Sequence, residues 1–192
     1  MSRLPQFNTD DLNDEQATIY NKIVSGPRGK FGGPFLGLIH APHIADQVQS
    51  LGASLRFNTK LQAAYREVAI LTAARFWHSE VEWNAHVVIA MEQGVPEKCI
   101  LDILYDNKPS VEKSECNMVF NFCREILNQK IISQKTYQET SNSIGVEQVV
   151  ELVALLGYFS LLAMLLNAFE IPSDPLDGVP PAEFSLSNII SN

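Results

Sequence analysis

A chain of 192 residues, 46% hydrophobic and 19% charged, has the make-up of a globular protein with a sizeable core. Its net charge of −8, with no lysine- or arginine-rich run, argues against nucleic acid and anionic membrane as partners. Three cysteines without a C-x-x-C pair (Cys99, Cys116, Cys123) and an N-terminus lacking an apolar leader predict buried thiols in a cytoplasmic protein.

Residues 1–12 read as a polar arm. Asn13, followed by Asp14 and Glu15, predicts an N-capped helix over 13–24 with Ile19, Tyr20 and Ile23 on its apolar side. Residues 25–34 hold four glycines and two prolines and predict a loop that crosses the surface or lines a site. Pro42 suits a first helical position and opens a helix to about Leu55, with Ile44, Val48 and Leu51 on one face. His40 and His43 straddle its start, so their side chains are expected to diverge. Asn58 or Thr59 is expected to cap the next helix, whose apolar positions Leu61, Ala64, Tyr65, Val68 and Leu71 keep a 3.6-residue period. Another helix runs from about Glu80 to Gln93 and stops at Gly94.

After Val95 and Pro96 a short helix reaches about Leu104. Ser110 or a neighbour begins a longer one with Val119, Phe122, Cys123, Ile126 and Leu127 as its buried side, and Ser133 caps a helix ending at Gly145. From Val149 to Phe169 the chain is apolar on every side, as expected at the centre of a bundle or in a subunit interface. Glu151, Tyr158, Ser160 and Asn167 interrupt it and no positive cluster flanks it, which disfavours a membrane span. The tail, 171–192, carries four prolines and reads as an extended arm, and no stretch predicts paired strands. The expected fold class is all-α, in one domain spanning 1–192.

The ionisable residues concentrate between Tyr65 and His86. Glu82 and His86, four apart on one predicted helix, share a face, where a carboxylate can hold an imidazole in one tautomer for general acid/base work. The same residues fit a capping box, in which Ser79 caps the helix, Glu82 reaches back to the Ser79 amide and His86 lies on the surface. Glu67, on the preceding helix, faces His86 if the two helices pack antiparallel, and Arg75 is available to pair with a carboxylate or to meet an acid substrate. A metal site built from Glu82, His86 and Glu67 or His78 is an alternative, although no spacing is diagnostic of one.

This stretch resembles the carboxymuconolactone decarboxylase family, whose fold is shared with the alkylhydroperoxidase AhpD. Thiol members carry a Glu, then C-x-x-C-x-x-x-H beginning twelve residues later. At that spacing Glu67 matches the Glu, Ser79 and Glu82 fall on the two Cys positions, and His86 matches the His. Further similar words lie in the 66–75 and 90–94 segments, at Gly33 to Phe35, around Phe120 to Leu127, and from Gly157 to Glu170. The resemblance therefore spans roughly 30–172 and is closest to a branch without the two cysteines. It implies an AhpD-like helical bundle, to which the proline-rich tail adds an extended C-terminal arm, and homo-oligomers such as trimers or hexamers. A thiol peroxidase needs a thiolate and a resolving thiol, which Ser79 and Glu82 cannot supply. The resemblance thus implies acid/base lyase chemistry on a small carboxylate or lactone, and neither a cofactor nor a metal is expected. On that analogy His86 transfers the proton, Glu67 and Glu82 orient it, and Arg75, Arg56 and His40 bind the substrate. Against this stand a peroxidase activity of the AhpD type, a metal-dependent enzyme, and a non-catalytic oligomeric protein whose pocket holds a ligand.

Overall fold

The computed structural model describes residues 2–107 and 115–173, and the described residues contain helices and no strand. After a 3-10 turn at Thr9–Asp11 come α1 (Asp14–Ser25), α2 (Phe35–Leu38), α3 (Pro42–Phe57), α4 (Ala63–Phe76), α5 (Glu80–Glu92), α6 (Glu97–Leu104), α7 (Glu115–Gln129) and α8 (Gln134–Ala168). The expected helix start near Ser110 and nearly all of the expected C-terminal arm lie outside the described residues.

Capping chemistry sets several boundaries. Asn13 Oδ1 accepts from the Gln16 amide at 2.9 Å, and Gln16 Oε1 accepts from the Asn13 amide at 3.1 Å, a reciprocal capping box that opens α1. Ser133 Oγ accepts from the Thr136 amide and opens α8. The expected cap at Asn58 or Thr59 is displaced, because α4 begins only at Ala63. Its approach is held instead by Glu151 of α8, whose carboxylate accepts from the Thr59 hydroxyl at 2.8 Å and from the Lys60 and Leu61 amides.

Four helices end on the same device. After α4, α5, α6 and α8 the chain turns through a left-handed residue: His78 (φ 53°), Gly94 (φ 78°), Asp106 (φ 51°) and Glu170 (φ 50°). In each case the next amide donates back to a carbonyl of the last turn, as from Ser79 to Ala74 and from Val95 to Ala90. Gly94 is the residue expected to stop its helix, and the others adopt this conformation without a glycine. Gly145 (φ 81°, ψ 157°) breaks α8 into two helical stretches, in keeping with the end expected there.

The central helix is α4, which packs against α5, α6, α7 and α8. Tyr65 and every residue from Glu67 to Ala74 are buried. Val68, Ile70 and Leu71 each stabilise the fold by about 1.5–3 kcal/mol through burial. The all-apolar stretch of α8 flanks this helix. It buries Leu152, Leu155, Phe159, Leu162 and Leu166 and leaves Val150, Val153, Leu161 and Met164 exposed. By length and composition α8 is apolar enough to cross a membrane, but half of that stretch is buried within the protein. On α3 the buried face is Ala45, Val48, Gln49, Gly52 and Leu55. The expected face is corrected by about one residue, since Ile44 and Leu51 are exposed. The small residues Ala45 and Gly52 let α3 approach its neighbours closely, and that outweighs the larger apolar pair.

Candidate functional site

Helices α4 and α5 are joined by the tight turn at Trp77 and His78, so they pack against each other and bring Glu67 to His86. His86 Nδ1 lies 2.7 Å from Glu67 Oε2, and both side chains are 5% exposed. An ionised Glu67 can only accept, so Nδ1 carries the hydrogen and Nε2 is left as the exchanging nitrogen. Nε2 faces Glu82 Oε2 at 3.8 Å, beyond direct hydrogen-bond range. The imidazole edge rests on Phe159 of α8, with ring centroids 5.0 Å apart at 87°. Glu67 and Phe159 together leave the ring little freedom.

The capping-box expectation for Ser79 and Glu82 is corrected. Ser79 occupies the N-cap position of α5, but its side chain caps nothing. Its Oγ is buried without a hydrogen-bond partner among the described residues. Glu82 is buried toward His86 rather than folded back over the helix end. Burial pushes its carboxyl above the ordinary glutamate range, against the lowering pull of His86, Arg56 and Arg28. His86 is correspondingly interior, 4% exposed, and not a surface histidine.

Arg56, on α3, belongs to this neighbourhood: its charge is felt by Glu82, and those of Glu67 and Glu82 are felt by it. Burial and the nearby Arg28 lower its pKa, although a guanidinium stays charged at any physiological pH. Arg28 and Tyr158, which sequence pattern alone does not mark as site residues, complete the group. Arg28 Nη2 donates to Tyr158 Oη at 3.0 Å, and the guanidinium stacks over Phe35 at 4.8 Å. Burial raises the Tyr158 phenol, with Arg28 pulling it down. The one clue to Arg28 was its position inside the glycine-rich loop, which was expected to line a site.

Two predicted site residues lie elsewhere. Arg75 is two turns further along α4, about 12 Å from Glu67 along the axis. Its Nε donates to the Leu104 carbonyl at 2.7 Å, and Nη1 is 3.4 Å from His78 Nε2. It lines a cleft of about 330 Å³ with Thr72, Phe76, His78, Phe120 and Arg124, which includes none of Glu67, Glu82 and His86. Burial and the Arg75 charge lower the His78 pKa there. His40 is exposed just after α2, and His43 is exposed as well. The three cysteines are buried on α6 and α7 and form no disulfide among the described residues. A hydrogen bond to Cys116 and then burial push the Cys99 thiol up, and burial does the same to Cys123.

No family model matches the sequence, and no curated protein is found similar to it. The fold is similar to a crystal structure described as an AhpD core, that of an uncharacterized peroxidase-related protein from Ralstonia eutropha JMP134. The two agree with a TM-score of 0.61 at 12% identity, over 90% of this chain and 92% of that one. The fold is therefore all-α and AhpD-like.

Proposed function

We propose that this chain is an acid/base lyase of the carboxymuconolactone decarboxylase type, acting on a small carboxylate or lactone. The observation that carries the reading is the buried file of Glu67, His86 and Glu82. One carboxylate fixes the imidazole through Nδ1, and the other faces the free Nε2. Decarboxylation breaks the bond between the carboxyl carbon and its neighbour, releases CO2, and leaves the electron pair on the remaining carbon as a conjugated enolate. Glu82, favoured in its protonated form by burial, closes the 3.8 Å gap and passes its proton to the free His86 Nε2, which delivers it to that carbon; solvent then reprotonates Glu82.

The AhpD-like fold also hosts peroxide chemistry, and the Ralstonia protein is described as peroxidase-related. Here Ser79 and Glu82 stand at the dithiol positions, and the buried Cys99 and Cys123 thiols are pushed away from the thiolate form. A metal reading finds less support, because the two carboxylates address opposite nitrogens of one ring and cannot both join His86 around one ion. Exposed apolar residues on α8 and α3, among them Val150, Leu161, Met164, Ile44 and Leu51, support self-association into a homo-oligomer. Three cysteines outside any disulfide suit a cytoplasmic setting.

The test is CO2 release from a panel of small carboxylated lactones by the wild type and by His86→Gln. Turnover is expected to fall by about a hundredfold or more in the variant. Undiminished turnover would remove His86 from the chemistry. A triple Cys99→Ser, Cys116→Ser, Cys123→Ser variant that lost a hydroperoxide reductase activity present in the wild type would establish the thiol reading instead.

A further inference from the structure

Around Arg28, Arg56 and Tyr158 there are more hydrogen-bond donors than acceptors. Arg28 spends one N–H on Tyr158 Oη, while its Nε is buried with no acceptor among the described residues. Arg56 is half-buried and makes no hydrogen bond or ion pair among the described residues, although each N–H of its guanidinium can donate. Tyr158 Oη accepts from Arg28, which leaves its own proton to give. Two guanidiniums near enough to disturb one another repel unless an anion lies between them. The nearest carboxylates do not fill that role. Glu67 is engaged by His86 at 2.7 Å, and Glu82 forms no hydrogen bond to either arginine. Burial further reduces the charge that Glu82 can offer.

Gly52 makes the arrangement possible. It lies one turn before Arg56 on the same side of α3. A Cβ there would stand 2.1 Å from Tyr158 Oη and 2.3 Å from Arg28 Nη2, so only a glycine admits both groups against the helix. Phe35 backs Arg28 on one side, and Phe159, next to Tyr158, backs His86 on the other.

We propose that Arg28, Arg56 and Tyr158 form an anion-binding site that seats the carboxylate of a small organic acid beside Glu82 and His86. The placement of the reacting carbon rests on the acid/base reading above; the binding of the carboxylate does not. A planar carboxylate matches the fork of a guanidinium and takes a third bond from the phenol. Arg28 reaches the site from the glycine-rich segment between α1 and α2, where Gly29 (φ 69°) and Gly33 (φ 55°) take left-handed turns. That segment therefore carries part of the substrate specificity.

Calorimetric titration of the full chain with malonate tests the site, with malonamide as the uncharged counterpart and inorganic phosphate as the competing oxyanion. Malonate is expected to bind saturably, malonamide not at all, and phosphate more weakly than malonate. Arg28→Gln and Arg56→Gln are each expected to weaken malonate by about tenfold or more, and Tyr158→Phe by about three- to tenfold. Should a glutamine variant fail to fold, Tyr158→Phe, which removes one hydroxyl, carries the comparison alone. Absence of malonate binding, equal binding in the folded variants, or binding of phosphate in preference would overturn the proposal. His86→Gln separates the two readings. Lost turnover combined with arginine-independent malonate binding sinks the anion site and spares the proton donor. Retained turnover with arginine-dependent binding does the reverse.

Discussion

The two ends of α4 carry similar side chains put to opposite uses. Near its start Glu67 meets His86 in the interior, and two arginines approach from α3 and the preceding loop with donors to spare. Near its end Arg75 and His78 also lie together, but there the arginine is occupied by the Leu104 carbonyl at the close of α6. Arg124 likewise binds Asp106, carboxylate and carbonyl both, just beyond that helix. Cations at helix C-termini satisfy orphan carbonyls and oppose the macrodipole. The lesson is that an arginine beside a histidine marks a site only where backbone acceptors have not already claimed it.

The largest expected effect lies at the first end. His86→Ala leaves the Glu67 carboxylate buried and unpaired and is expected to cost about 3–5 kcal/mol in denaturant unfolding. Replacing both residues by leucine should recover most of that loss, and a double variant as unstable as the single one would show that the pair matters by shape and not by charge. Gly52→Ala pushes a methyl into Tyr158 and Arg28 and should cost about 1–3 kcal/mol.

At the second end the effects are smaller. Arg75→Met is expected to cost about 1–2 kcal/mol through the Leu104 carbonyl and to leave malonate binding unchanged. Weakened malonate binding would erase the contrast between the two ends. Gly94→Ala, which forces a side chain into a left-handed turn, should cost about 1 kcal/mol by thermal melting.

The contrast also has a pH signature. The folded-state pKa of Glu82 is raised, so the folded protein holds this proton more tightly than the unfolded chain does. Its contribution is complete below the ordinary glutamate value and is lost as pH climbs through the raised one. Stability of the wild type should therefore decline as pH rises from the ordinary glutamate value, near 4.5, through the raised one, and Glu82→Gln should flatten that decline. An unchanged slope in the variant would place the titration elsewhere.

Much of this was legible in the sequence where periodicity was strong. The helices around Ile19, Val68, Val119 and Leu152 were all expected, and Glu67 and His86 were aligned through their spacing. The rest is decided by contacts between distant segments. The S-x-x-E pattern at Ser79 describes a capping box well, but the burial of α5 turns Glu82 inward, and local pattern cannot register that. Arg28 and Tyr158 are 130 residues apart, and only packing across α3 unites them. The buried face of α3 departs from the apolar pattern because Ala45 and Gly52 pack inward by smallness, which apolar bulk does not register.

The break at Gly145 divides α8 into parts with unequal anchorage. The part before it buries only Thr140 and Ile144, while the part after it buries nine residues, from Val149 to Leu166. In native-state hydrogen exchange the first part should open as a low-energy unit, with its amides exchanging long before those of 149–166. Tyr158 and Glu151 both belong to the late-exchanging part. The 134–144 arm can therefore fray or be cleaved while the site around His86 and the approach to α4 stay closed.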